Sequence, residues 1–301
     1  MRVTLTGATG RIGIAIVEAL LARGDEVTVL SRSPERAKTK LPDGAGTAEW
    51  DPKAGPAPTG ALEGRDAVVH LAGEDVAQRW TAKVKDEIRA SREAGTRNLL
   101  EGLRATQDRP RTLVSASASG YYGPRGDEPV AEDDPPGDDF LAQVVVAWER
   151  EARRAEGLGL RVATMRTGVV LSADAGALKK MLPPFKLGVG GPVGGGRQYL
   201  PWVHLDDVVG LYLQALDDDR YTGPINVVAP NPVTNKEFSK ALGKALRRPA
   251  VAPVPGFALR LLYGEMSLIV LTGVNAVPRR AQEHGYAFRH PEVLEALRAT
   301  V

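Results

Sequence analysis

The chain has 301 residues, 43% of them hydrophobic and 25% charged, with a formal net charge of +2; that is ordinary for a globular protein of about two domains. The small net charge argues against a nucleic-acid footprint. The absence of cysteine excludes disulfides and thiolate sites, and four histidines without an H-x-x-x-H spacing offer no zinc motif.

The first thirteen residues, MRVTLTGATGRIG, change period. Val3 and Leu5 read as a strand, Thr6-Gly7 breaks it, and Ile14, Val17, Leu20 and Leu21 follow helical spacing. Gly7, Gly10 and Gly13 span the turn. The first permits a sharp bend, the second a close approach of ligand to main chain, the third tight packing of the helix. The helix start offers unpaired N–H groups and the positive end of a dipole, which suits a diphosphate.

Arg23-Gly24-Asp25 stops that helix, and a strand over 26–30 runs into Ser31-Arg32-Ser33. Where a fold that binds NAD places a carboxylate for the ribose 2′-hydroxyl, this chain has Ser31 and Arg32. A guanidinium beside a hydroxyl attracts a 2′-phosphate, so the expected cofactor is NADP(H) rather than NAD(H). Residues 41–64 are rich in Pro and Gly, with a strand at 47–51; Trp50 either borders the adenine or packs under a loop. A buried strand over 67–71 ends in Ala72-Gly73, small residues that leave room at a carboxyl end. In the helix over 81–104, Arg92 shares a stripe with Val84, Ile88, Gly95 and Leu99, and Glu87 lies three residues after Val84. They touch a phosphate or ribose, or else form an internal pair or a snorkelling stem.

The strand RTLVSASAS, 111–119, leads into Gly120-Tyr121-Tyr122-Gly123, and its hydroxyls and tyrosines are expected to face the same crevice. An acidic loop, 127–139, is expected over the site. A helix over 140–156 and a strand over 161–171 complete an alternation that signals a parallel sheet with helices on both faces. Beyond it come a helix at 178–187, a glycine-rich flap at 188–196, a helix at 208–216, a strand at 224–228 placed to return to the sheet, helices at 235–246 and 256–271, and a last helix at 291–298. The division expected is a nucleotide-binding domain, 1–171, and a smaller C-terminal α/β substrate domain, 172–301. No targeting signal precedes the first strand, and the apolar segment 257–274 is interrupted by Arg260 and Glu265; a cytoplasmic protein without a membrane span is expected.

TGATGRIG, Leu71-Ala72-Gly73, the serine-rich strand before Tyr122-Gly123, and WVHLDD at 202–207 resemble, in order, the extended short-chain dehydrogenase/reductase superfamily. HLAGEDVAQRW, GDDFLAQVVVAWE, RTGVVLS, APNPVTNKEF and GYAFRHPEVLEAL narrow the likeness to its atypical epimerase-like subfamily. The resemblance implies a Rossmann-type doubly wound sheet binding NADP(H). Position by position, it puts coenzyme contacts on Gly7, Thr9, Gly10, Arg11, Ile12, Ser31, Arg32, Leu71, Ala72, Glu87, Arg92 and Val170. The superfamily's Tyr-x-x-x-Lys pair is missing: Leu141 and Val145 stand there, and neither titrates. Tyr121 or Tyr122, with Ser117, is the substitute proton donor expected. Arg197, Gln198, Tyr199 and His204 are expected on the substrate side, unless His204 and Asp206 merely fix the turn and cap the next helix. Two functions follow. One is an oxidoreductase or epimerase-like enzyme acting on a small polar, sugar-like molecule, with a homodimer compatible. The other is a non-catalytic NADP(H)-binding sensor or regulator.

Overall fold

The computed structural model describes residues 1–301. Its strands are β1 (Arg2–Thr6), β2 (Glu26–Ser31), β3 (Gly46–Glu49), β4 (Ala67–His70), β5 (Thr112–Ala118), β6 (Arg161–Thr167), β7 (Val169–Leu171), β8 (Tyr199–Leu200), β9 (Trp202–His204), β10 (Gly223–Val227) and β11 (Val233–Thr234). The helices are α1 (Arg11–Ala22), α2 (Pro34–Lys38), α3 (Ala82–Ala105), α4 (Phe140–Arg153), α5 (Gly176–Lys186), α6 (Leu205–Asp217), α7 (Asn235–Leu246), α8 (Gly256–Tyr263), α9 (Leu268–Leu271), α10 (Arg279–Glu283) and α11 (Val293–Thr300).

Seven strands form one parallel sheet in the order β10-β6-β5-β4-β1-β2-β3. The chain runs outward from β1 to β3, then crosses back to lay β4 beside β1. That reversal opens a crevice above the carboxyl ends of β1 and β4, where ligands bind in such sheets. Central strands covered on both faces need apolar side chains on both. Accordingly Ala67, Val68, Val69 and His70 of β4 are all buried. On one face Ile16, Val17 and Leu20 of α1 and Leu211, Tyr212 and Ala215 of α6 meet Val3, Leu5, Val69 and Val114. On the other, Leu99 and Leu103 of α3 and Ala152 of α4 meet Val68, Leu113 and Val162. Neighbours such as Val68 and Val69 thus serve opposite cores, as a period of two requires.

The strand expected at 224–228 does return, as β10 at the sheet edge beside β6. A third core surrounds Trp202, with Leu178, Leu182 and Phe185 of α5, Phe238 and Leu242 of α7, and Leu297 of α11. Three expectations are corrected. The run 161–171 is two strands, because Gly168 lies against Pro201 too closely for any side chain; β6 stays in the main sheet and β7 pairs with β9. The helix expected over 256–271 breaks at Gly264, whose φ is +61°. The segment 188–196 is a strap tied down by its own main chain, not a free flap. Val193 N–H donates to Asn235 Oδ1 (2.7 Å), and Gly194 N–H to Val254 O (2.9 Å).

Candidate functional site

The coenzyme end of the crevice is built from main chain. Gly7 has φ +68°, and a Cβ there would lie 2.6 Å from the Leu71 carbonyl carbon. The glycine therefore lets the turn settle on the end of β4. Gly13 plays the matching part against Ala8, where a Cβ would overlap Ala8 Cα. Gly10 differs: a Cβ there would have only Gly7 O nearby, at 3.6 Å, so its free side faces the crevice. Helix α1 has no side-chain cap and no acidic residue in its first turn. The amides of Arg11, Ile12 and Gly13 have no acceptor. Uncapped amides at a positive helix end suit a diphosphate.

Beneath this turn, Thr6 Oγ1 accepts from Ala72 N–H (3.3 Å) and is hydrogen-bonded to His70 Nδ1 (2.7 Å). His70 Nε2 is hydrogen-bonded to Thr96 Oγ1, 3.1 Å away. Burial lowers the His70 pKa to about 4, so the ring is neutral and locks β1, β4 and α3 together.

At the end of β2, Ser31 Oγ accepts from Ser33 N–H (3.2 Å). Arg32 is exposed and makes no ion pair or side-chain hydrogen bond, and no carboxylate occupies the end of that strand. Trp50 takes the second of its expected readings: it is buried, and its indole N–H donates to Gly55 O (2.9 Å). Ile12, Leu71 and Val170 pack against the main core with part of their surface open, Ala72 and Thr9 are half-buried, and Arg11 is pulled toward β7, pairing with Asp174 (3.2 Å). The Arg92 guanidinium lies against Gly73, donates to Glu74 O (3.0 Å) and Ile88 O (3.2 Å), and sits 5.0 Å from the Trp148 ring. Burial lowers its pKa to about 10. Glu87 is half-buried and is not its partner.

The other end of the crevice departs from expectation. Ser115, Ser117 and Ser119 are buried, while Ala116, Ala118 and Gly120 keep open surface. With side chains alternating along β5, Ser115 and Ser117 point into the protein and Ala116 and Ala118 face the crevice, while Ser119 and Gly120 lie in the turn that follows. Ser117 Oγ donates to Glu149 Oε1 (2.6 Å). The same carboxylate holds Arg166, with Nε to Oε1 at 2.8 Å and Nη2 to Oε2 at 2.9 Å. Arg166 Nη1 also donates to the Tyr122 hydroxyl (3.1 Å) and Glu132 O (3.0 Å), and the Tyr122 hydroxyl donates to Asn226 Oδ1 (2.7 Å). Burial raises the Tyr122 pKa to about 12; burial lowers that of Arg166, but its bonds to Glu149 more than offset this and the net shift is upward.

Ser117 and Tyr122, expected to face the crevice, are therefore interior members of a polar network. Tyr121 is half-buried, its hydroxyl has no partner in the protein, and the Arg166 guanidinium lies 3.4 Å from its ring centroid. Leu141 lies against Gly120, 3.7 Å from where a Cβ would stand, and Val145 is buried.

The expected substrate-side residues do not converge. Arg197 is exposed without a partner. Gln198 spends its amide on Val193 O (3.1 Å) and Val270 O (2.9 Å), and Tyr199 belongs to the ribbon with β11. His204 caps α6: its Nδ1 accepts from Asp206 N–H (3.1 Å). Sequence spacing gave no sign that His290 would stack on His204, with centroids 3.7 Å apart, and reach Asp206 Oδ2 at 3.1 Å. These three could approach a metal ion. However, a neutral imidazole accepting at Nδ1 carries its proton on Nε2, so His204 has no lone pair free while it caps the helix. The acidic loop also has a structural role. Asp133 pairs with Arg280 (2.7 Å) and Arg279 (2.5 Å), and Glu132 Oε1 accepts from Asn226 N–H (3.0 Å).

Residues 3–228 match the NAD dependent epimerase/dehydratase family, and residues 254–300 match the Domain of unknown function (DUF1731). A relative from Arabidopsis thaliana, "Epimerase family protein SDR39U1 homolog, chloroplastic", is 41% identical over 99% of this chain and 86% of its own length. The human epimerase family protein SDR39U1, whose crystal structure contains NADPH, superposes with a TM-score of 0.89 at 37% identity, covering 100% of this chain and 99% of that one. A nucleoside-diphosphate sugar epimerase from Corynebacterium glutamicum reaches a TM-score of 0.78 at 34% identity, covering 100% of this chain and 58% of its own. No helix here is long and apolar enough to cross a membrane. The chain belongs to the NAD dependent epimerase/dehydratase family.

Proposed function

We propose that this protein binds NADP(H) in preference to NAD(H) and carries out hydride chemistry between a carbonyl and an alcohol. The observation that carries the coenzyme reading is the unpaired Arg32 at the carboxyl end of β2, with no carboxylate beside it. The open side of Gly10 and the uncapped amides of α1 suit the diphosphate. The NADPH in the human relative supports the same reading. When bound, the coenzyme supplies a hydride to, or takes one from, the reacting carbon.

The chain's own part is the proton. Tyr121 presents a hydroxyl that no protein group uses. It gives its proton to the carbonyl oxygen and recovers one from solvent, and Arg166 beneath its ring stabilises the negative charge left between those events. The test is titration of the protein with NADPH and NADH by fluorescence. NADPH binds more tightly, and Arg32→Ala weakens NADPH about tenfold or more while leaving NADH unchanged. Equal affinities, or an indifferent Arg32→Ala, overturn the preference.

The second reading, a sensor without turnover, draws on Leu141 and Val145, which put no titratable group where the superfamily has two. Tyr121→Phe separates them. Under the first reading it abolishes turnover with coenzyme affinity intact; under the second the parent protein never turns over.

A further inference from the structure

The two ends of the crevice do not want the same kind of molecule. On the wall made by β5 and α4, the groups facing out are Ala116, Ala118, Gly120 and Leu141. Ser115 and Ser117 of that strand face the other way, and Ser117 is committed to Glu149. A sugar laid on this wall would lose water from its several hydroxyls and find only the Tyr121 hydroxyl in return, which is how a site disfavours a polar ligand.

The rim continues the pattern. The Trp80 and Phe140 rings meet edge to face at 5.1 Å, and Lys85 Nζ sits 4.8 Å from the Phe140 centroid. Lys85 also pairs with Glu265 at 2.5 Å, in the turn directly after α8. That turn is anchored, with Met266 and Ser267 buried. Helix α8 itself has no buried residue. Phe257, Leu261 and Leu262 are 74%, 78% and 64% exposed. An apolar helix left bare marks a binding surface, and this one is tethered to the rim of the crevice.

We infer that the substrate is an apolar carbonyl compound or its alcohol, a long aliphatic chain or a fused aromatic, and not a sugar nucleotide. It rests on the coenzyme reading above. Its reacting carbon lies toward Tyr121, its body lies along Ala118, Gly120 and Leu141, and α8 closes over the end that projects from the crevice. In the reducing direction the carbonyl carbon gains a hydride, the oxygen gains the Tyr121 proton, the coenzyme leaves oxidised, and solvent reprotonates Tyr121.

The test is calorimetric titration of the full chain. NADPH is titrated first; a protein that binds none overturns the coenzyme reading and this one with it. Then 1-decanol is titrated into the NADPH complex, and 2-acetonaphthone into the NADP+ complex, with UDP-glucose titrated into the NADPH complex as the polar comparison, so that no mixture can react. Saturable binding of an apolar probe, at least tenfold tighter than UDP-glucose, is the expected result. Leu261→Asp and Leu262→Asp change exposed residues, so folding is not at stake. Each weakens the apolar probe about tenfold and leaves NADPH affinity within twofold. No saturable binding of either apolar probe, or tighter binding of UDP-glucose, overturns the inference. So does a dimer in sedimentation that Leu261→Asp dissociates without changing probe affinity, because α8 would then be covered by a second copy of the chain.

Discussion

The crevice has two ends that treat polar groups in opposite ways. At the α1 and β2 end, amides and a guanidinium are left without protein partners. At the β5 and α4 end, Ser117, Tyr122, Glu149 and Arg166 are consumed inside the fold, and the Tyr121 hydroxyl is left without a protein partner. A free donor at a crevice is kept for a ligand; a satisfied one is holding the scaffold. The same strand ends thus serve recognition on one side and construction on the other.

That contrast breaks most sharply at Glu149. Glu149→Gln leaves the buried Arg166 without its counter-charge, and losing one partner of a buried pair costs about 3–5 kcal/mol. Urea unfolding should show that loss. A change below about 1 kcal/mol would mean that the network is not structural, and Ser117 would return as a site residue.

Much of the first end was legible because its parts are neighbours in sequence. The spacing of Gly7, Gly10 and Gly13 and the pair Ser31-Arg32 state their roles locally. The second end was not, because β5 can be read in two registers. Whether Ser117 or Ala118 faces outward is decided by Glu149 and Arg166, which arrive from α4 and β6 to claim the serine face. His290 was equally silent: only the folded chain brings it onto His204, a cap that sequence reasoning had offered as one of two roles. The fold itself was readable from alternating periods, and the breaks at Gly168 and Gly264 were missed because close approach and a positive φ leave no hydrophobic signature.

The floor of the coenzyme end gives a pH test. His70 has a folded pKa of about 4, below its usual 6.5. The unfolded chain takes up a proton first as pH falls. Stability is therefore complete above about 6.5 and declines down to about 4, by up to about 3 kcal/mol. Denaturant unfolding at pH 6.5 and 4.5 should show the decline, and His70→Asn should remove that part of it. An equal slope in both proteins would mean that His70 is charged in the fold.

Two glycines sharpen the comparison with a smaller effect. Gly7→Ala forces a side chain into a left-handed backbone, at about 1–2 kcal/mol before any overlap with Leu71 is counted, and lowers the melting temperature. Gly10 has an ordinary φ of −84° and open space beside it. Gly10→Ala should melt like the parent yet lose NADPH affinity by about tenfold, because its methyl group fills the diphosphate's place. Matching losses of stability in both variants would contradict the division of labour between them.

The most direct test is a crystal structure of this chain with NADPH. The account predicts the diphosphate against the amides of Arg11, Ile12 and Gly13, the 2′-phosphate within hydrogen-bond reach of Arg32, and Ala118, Gly120 and Leu141 lining the space left beside the nicotinamide. A 2′-phosphate turned away from Arg32, or a β5 serine rotated out to contact the nicotinamide ribose, would contradict it.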